Sequence, residues 1–99
     1  MAEHHMQKCI SNAIEEILTD RGKSYGSFAF QAARSEAIKT VIHQGTNWNT
    51  MAPHQREALD MIAVKIGRLL SGDPNHLDCW LDICGYSQLI ADRLKGTVR

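Results

Sequence analysis

The chain carries no surplus of charge. Lys and Arg together number 11, and so do Asp and Glu, over 99 residues. A surface without a basic excess has few counterions to release from a nucleic acid, which argues against DNA as a partner. No helix with a clustered basic face stands out as a recognition helix. No apolar run approaches the roughly 20 residues that span a bilayer, so no membrane partner is expected. The first residues, Met1-Ala2-Glu3-His4-His5, lack the basic and apolar regions of a signal peptide, and the expected compartment is the cytoplasm. The cysteines are few: Cys9, Cys79 and Cys84. An odd number without a close pair is not a disulfide framework, and Cys79 to Cys84 is not the spacing of a zinc pair. All three are expected as buried, reduced thiols. Strand alternation, internal repeats and low-complexity segments are absent. Ser24, Ser27 and Ser87 have no paired base in sequence reach, so no nucleophile is proposed.

What is present is helical periodicity. The length sets one domain over residues 1–99. The first helix is expected from about Glu3 to Thr19, with Met6, Ile10, Ala13, Ile14, Ile17 and Leu18 on one stripe and Gly22 as its left-handed cap. The second is expected from about Ser27 to Gln44, with Phe28, Ala32, Ile38, Val41 and Ile42 as its apolar side. Tyr25-Gly26 forms the loop before it. Trp48, in the polar connection that follows, is expected to pack as a lid on the core. The third helix runs from about Pro53, which suits a first helical turn, to Leu70. Its core stripe is Leu59, Ile62, Ala63, Ile66, Leu69 and Leu70, while Glu57, Asp60, Met61, Val64 and Arg68 point away. The fourth runs from about His76 to Lys95, with a broad arc of Leu77, Trp80, Leu81, Ile83, Cys84, Ile90, Ala91 and Leu94. Asp78, Asp82, Gly85 and Leu89 form a separate stripe. Gly85 costs about 1 kcal/mol relative to Ala inside a helix, which suggests a neighbour packed close. Short loops make successive helices antiparallel. The expected fold is all-α, a four-helix bundle-like domain with an antiparallel C-terminal hairpin. A second partly apolar stripe on the third and fourth helices, Met61 with Val64 and Gly85 with Leu89, points to a homo-oligomer.

The charges on the hairpin are the candidate site. With the turn centred near Asp73-Pro74, Asp82 falls level with Lys65, and Asp78 falls beside Arg68. One account is two interhelical ion pairs, which stabilise little when exposed. The other is a polar cluster in which Lys65 and Arg68 hold phosphate oxygens and the aspartates hold Mg2+ between those oxygens. Glu57 and Asp60 lie further down. Asp60 is roughly 13 Å from Asp78 along the axis, so the four acids cannot grip one ion in a single hairpin. A second chain, or Glu15, Glu16 or Glu36, would have to contribute. His43, His54 and His76 are expected at the surface.

The joint pattern Arg21-x-x-x-Tyr25-Gly26, Glu57-Ala58-Leu59-Asp60-Met61-Ile62-Ala63-x-Lys65-Ile66-x-Arg68, Gly72-Asp73-Pro74 and Asp78-x-Trp80-x-Asp82-Ile83-x-Gly85-Tyr86 resembles a family of small phage and prophage proteins of unknown function. A more distant resemblance is to the all-α, MazG-like nucleoside triphosphate pyrophosphohydrolases. Those hold Mg2+ with Glu-x-x-Glu on one helix and Glu-x-x-Asp on the next. Glu57-x-x-Asp60 looks like the first element, and Asp78-x-x-x-Asp82 stands in place of the second with one residue too many. The resemblance implies a nucleotide or nucleotide-derived ligand, Mg2+ on Glu57, Asp60, Asp78 and Asp82, and phosphate contacts from Lys65 and Arg68. The departures bear on hydrolysis more than on binding. The phage likeness also fits a non-catalytic counter-defence protein that sequesters a nucleotide signal or masks a host protein.

Overall fold

The structure, a computed structural model, describes residues 2–97, with the side chains of 2–10, 24 and 25 outside that description. Four helices make it all-α and bundle-like: α1 (Ala2–Tyr25), α2 (Phe28–His43), α3 (Pro53–Ser71) and α4 (Leu77–Leu94), with one 3₁₀ turn at Trp48–Thr50. Among the described residues no helix is long and apolar enough to cross a membrane. The centre is α3, which packs against α2 on one side and α4 on the other, while α1 touches α2 and α3 only lightly.

The helix ends have local causes. Pro53 opens α3, and the Gln55 side chain accepts a hydrogen bond from the Ala52 N–H at 3.0 Å. The hairpin turn is tied twice: Asn75 N–H donates to Asp73 Oδ1, and Trp80 Nε1–H donates to the Pro74 carbonyl, each at 2.9 Å. The first helix does not stop near Thr19. It continues through Gly22 and ends at Gly26, whose φ of +76° is the left-handed value expected of a terminating glycine. Tertiary contact selects that glycine, because a Cβ at Gly26 would lie 2.0 Å from the Ser71 carbonyl oxygen.

Which stripes are covered differs from the expectation in all four helices. On α1, Ala13, Ile14, Ile17 and Leu18 are exposed. On α2 the buried residues are Gln31 and Ser35, whereas Phe28 and Val41 are exposed. The reason is Gly67: a Cβ there would meet the Gln31 carbonyl oxygen at 3.0 Å and Ser35 Cβ at 3.2 Å. The two backbones approach closely, so small and polar residues fill the seam. On α3, Ala58, Ala63, Gly67 and Leu69 are buried. Leu70 is exposed, while Asp60, Met61, Val64 and Arg68 are half-buried rather than solvated, because α3 is flanked on two sides. On α4 the inward side is Cys79, Ile83, Tyr86, Ile90 and Asp92, while Leu77, Trp80, Leu81, Cys84 and Leu94 are exposed. Cys79 is therefore the buried thiol and Cys84 is not. The side chains of Met6, Cys9, Ile10 and Tyr25 lie outside what the structure describes.

Candidate functional site

The antiparallel hairpin delivers the expected register. Lys65 Nζ and Asp82 Oδ2 are 2.9 Å apart, with the lysine side chain 12% exposed and the aspartate 48%. The Lys65 side chain is largely packed, with its ammonium held by Asp82 at the edge of the seam. The Lys65 hydrogen bond holds the Asp82 carboxyl below its usual range; partial desolvation opposes this, and the charges of Lys65, Arg68 and His76 add to it. Asp82 thus sits among three basic side chains. Burial pushes the neighbouring Cys79 thiol up, against the pull of Lys65 and Arg68. It stays protonated and unreactive at neutral pH.

Asp78 is exposed in the first turn of α4, where a carboxylate meets the positive end of the helix dipole. It lies near enough to Cys79 to act on that thiol together with Asp82 and Arg68. Asp60 is elsewhere. A 2.7 Å hydrogen bond joins it to His43 Nε2, and the His43 ring stacks on Trp48 with centroids 4.3 Å apart and planes 24° from parallel. Trp48 is half-buried over this end of the α2–α3 seam. Glu57 is exposed on α3 and lines a shallow hollow with His54, Tyr86 and Arg93. The structure therefore brings Lys65, Arg68, Asp82 and Asp78 to one end of the hairpin and leaves Glu57 and Asp60 apart. Among the described residues no three His, Cys, Asp or Glu side chains are grouped to hold a metal ion. The four carboxylates do not fit a shared Mg2+ within one chain.

Beside this cluster lies a cleft that charge counting on the hairpin did not reach. Leu18, Arg21 and Gly22 of α1, Gly26, Phe28 and Gln31, and Arg68 of α3 enclose about 490 Å3. Arg68 faces both ways, acting on Asp82 and Cys79 while lining the cleft. Phe28 is 77% exposed. The N-cap of α2, Ser27, makes no side-chain bond to the helix, and no acidic residue occupies the first turn. The Arg21-x-x-x-Tyr25-Gly26 pattern marks the α1–α2 junction where the cleft lies, but nothing in it points to Arg68.

The chain belongs to a family described as a domain of unknown function (DUF6378), which covers residues 8–94. No curated protein and no solved structure matches the chain.

Proposed function

We propose that the protein binds a phosphate-bearing small molecule, a nucleotide or a nucleotide derivative, with Arg68 and Lys65 as phosphate contacts. The observation that carries this reading is the position of Arg68, between the Lys65–Asp82 pair and a cleft that also presents Arg21 and the exposed Phe28. Two guanidinium groups in one cleft suit the planar, bidentate recognition of phosphate oxygens. The nearby start of α2, with no carboxylate in its first turn, leaves backbone N–H groups for an anion. An exposed aromatic residue in the same cleft suits a base.

Hydrolysis is the finer form of the proposal. It follows from the likeness to the MazG-like pyrophosphohydrolases and requires Mg2+ at Glu57, Asp60, Asp78 and Asp82. Within one chain Asp60 is engaged by His43 and Asp82 by Lys65, which favours the second reading: retention without turnover, as in a phage-type protein that sequesters a nucleotide signal. Incubating the purified protein with a panel of nucleotides and Mg2+, then measuring both product and retained ligand, tests the two together. Arg21→Ala and Arg68→Ala are expected to weaken retention. Asp82→Asn should abolish Mg2+-dependent product if the enzyme reading holds, and it should alter only retention, with no product from either version, if the sequestering reading holds. Wild type that neither retains nor converts any nucleotide overturns both.

A further inference from the structure

The chain is too open for its size. A compact monomer of 11.1 kDa exposes roughly 5,700 Å2 by the scaling of folded proteins, whereas this chain exposes 7352 Å2. Its radius of gyration is 17.6 Å, against about 12.6 Å for a compact domain of this length. The surplus surface, roughly 1,700 Å2, is about twice what one partner contributes to an interface of standard size. The longest dimension is 56 Å, while α3 is only about 29 Å long, so α1 extends beyond the other three helices.

The uncovered apolar groups fall on two surfaces. On α1, Ile14, Ile17 and Leu18 are each more than half exposed. On α4, Leu77 and Leu81 are exposed one turn apart, and the next position along that row is Gly85. A Cβ at Gly85 would meet nothing within 4 Å, so no neighbour in its own chain explains the glycine. It lies in a trough of about 560 Å3 lined by Leu81, Asp82, Tyr86, Gln88, Leu89 and Asp92.

We propose that two copies of this chain exchange arms, the Ile14–Leu18 stripe of each α1 lying antiparallel along the outer face of the other copy's α4. In that register Leu18 meets Leu81, and Ile14 enters the notch at Gly85, since both pairs are four residues apart. Arg21, which also lines the cleft, then falls level with Asp78, each three residues beyond the leucine contact and opposite in sign. The topology permits it. Gly26 meets Ser71 at the end of the bundle from which α4 departs, so an arm leaving there reaches along a second bundle joined at the same end. The exposed Leu70 and Leu77 flank that end. The surplus area matches an obligate pair better than a transient encounter.

Sedimentation of the full chain at roughly 100 µM and in serial dilution tests this without any nucleotide, so its outcome is separate from that of the proposed ligand. Wild type should sediment as a dimer. Gly85→Leu fills space that is open within its own chain, so it should keep the helical content and weaken dimerisation at least tenfold. Ile14→Glu should do the same, and if that variant fails to fold, Gly85→Leu decides. Amides of α1 in the wild-type protein should exchange more slowly as protein concentration rises. A wild-type monomer at the highest concentration, or Gly85→Leu with unaltered dimer affinity, overturns the proposal.

Discussion

The two seams of α3 are built differently. Against α2 the backbones touch across Gly67, and the residues between them are Gln31 and Ser35, both buried. Against α4 the seam holds Cys79, Ile83, Tyr86 and Ile90, with the Lys65–Asp82 pair at its edge. The first seam depends on the absence of side chains and tolerates no growth. The second depends on side-chain bulk, and it leaves polar groups able to reach solvent. The candidate site sits where those two designs meet, because Arg68 leaves α3 between them.

The junction at Gly26 is the extreme of the close-packed design and the place where the comparison breaks most sharply. Gly26→Ala forces a left-handed backbone on an ordinary residue and drives its Cβ into the Ser71 carbonyl. The strain and displacement together are expected to cost about 2–4 kcal/mol. Thermal unfolding should show the loss, and hydrogen exchange should show α1 released first. The cleft bearing Arg21 and Arg68 would open with it, so nucleotide retention should fall in parallel. Gly67→Ala is the next test. The new methyl crowds the α2 backbone, at a cost of about 1–3 kcal/mol, and helix propensity returns at most about 1 kcal/mol. A net loss of about 1 kcal/mol in denaturant unfolding is expected. A gain would mean that α2 can move away, and the seam would not be tight.

Gly85 sharpens the contrast from the other side. It is also mid-helix, but its added Cβ meets no atom of its own chain. Gly85→Ala should therefore stabilise the chain by up to about 1 kcal/mol of helix propensity, when unfolding is measured at high dilution. A loss that grows with protein concentration reports a second chain against that face.

Periodicity revealed the helices and, counted from the turn, the Lys65–Asp82 register, because an antiparallel hairpin fixes heights without knowledge of its surroundings. It did not reveal which stripe of each helix is covered. Phe28, Val41 and Leu70 satisfy the helical period yet lie exposed, since the period ranks faces only within one helix. Gln31 and Ser35 were missed because a close backbone crossing selects for size, not hydropathy. The first helix runs past Thr19 to Tyr25: Gly22 and Gly26 are indistinguishable as local stop signals, and only the contact with Ser71 separates them. The Arg21–Arg68 cleft draws on three helices, and no spacing within the sequence encodes that meeting.

The smallest expected effect lies at the edge of the second seam. Asp82 titrates below its usual range because Lys65 donates to it, with Arg68 and His76 adding charge. A depressed folded-state value means that the carboxylate form favours the folded state. Its contribution is complete above the unfolded value of about 3.9 and disappears as pH falls through the lower folded value. Wild type and Asp82→Asn should therefore differ slightly in stability at neutral pH and converge below about pH 4. The pair is open to solvent on the aspartate side, so salt should narrow the difference at neutral pH. A difference that persists unchanged in strong acid would show that Asp82 acts through packing and not through its charge. The edge of the second seam would then be as intolerant of change as the first.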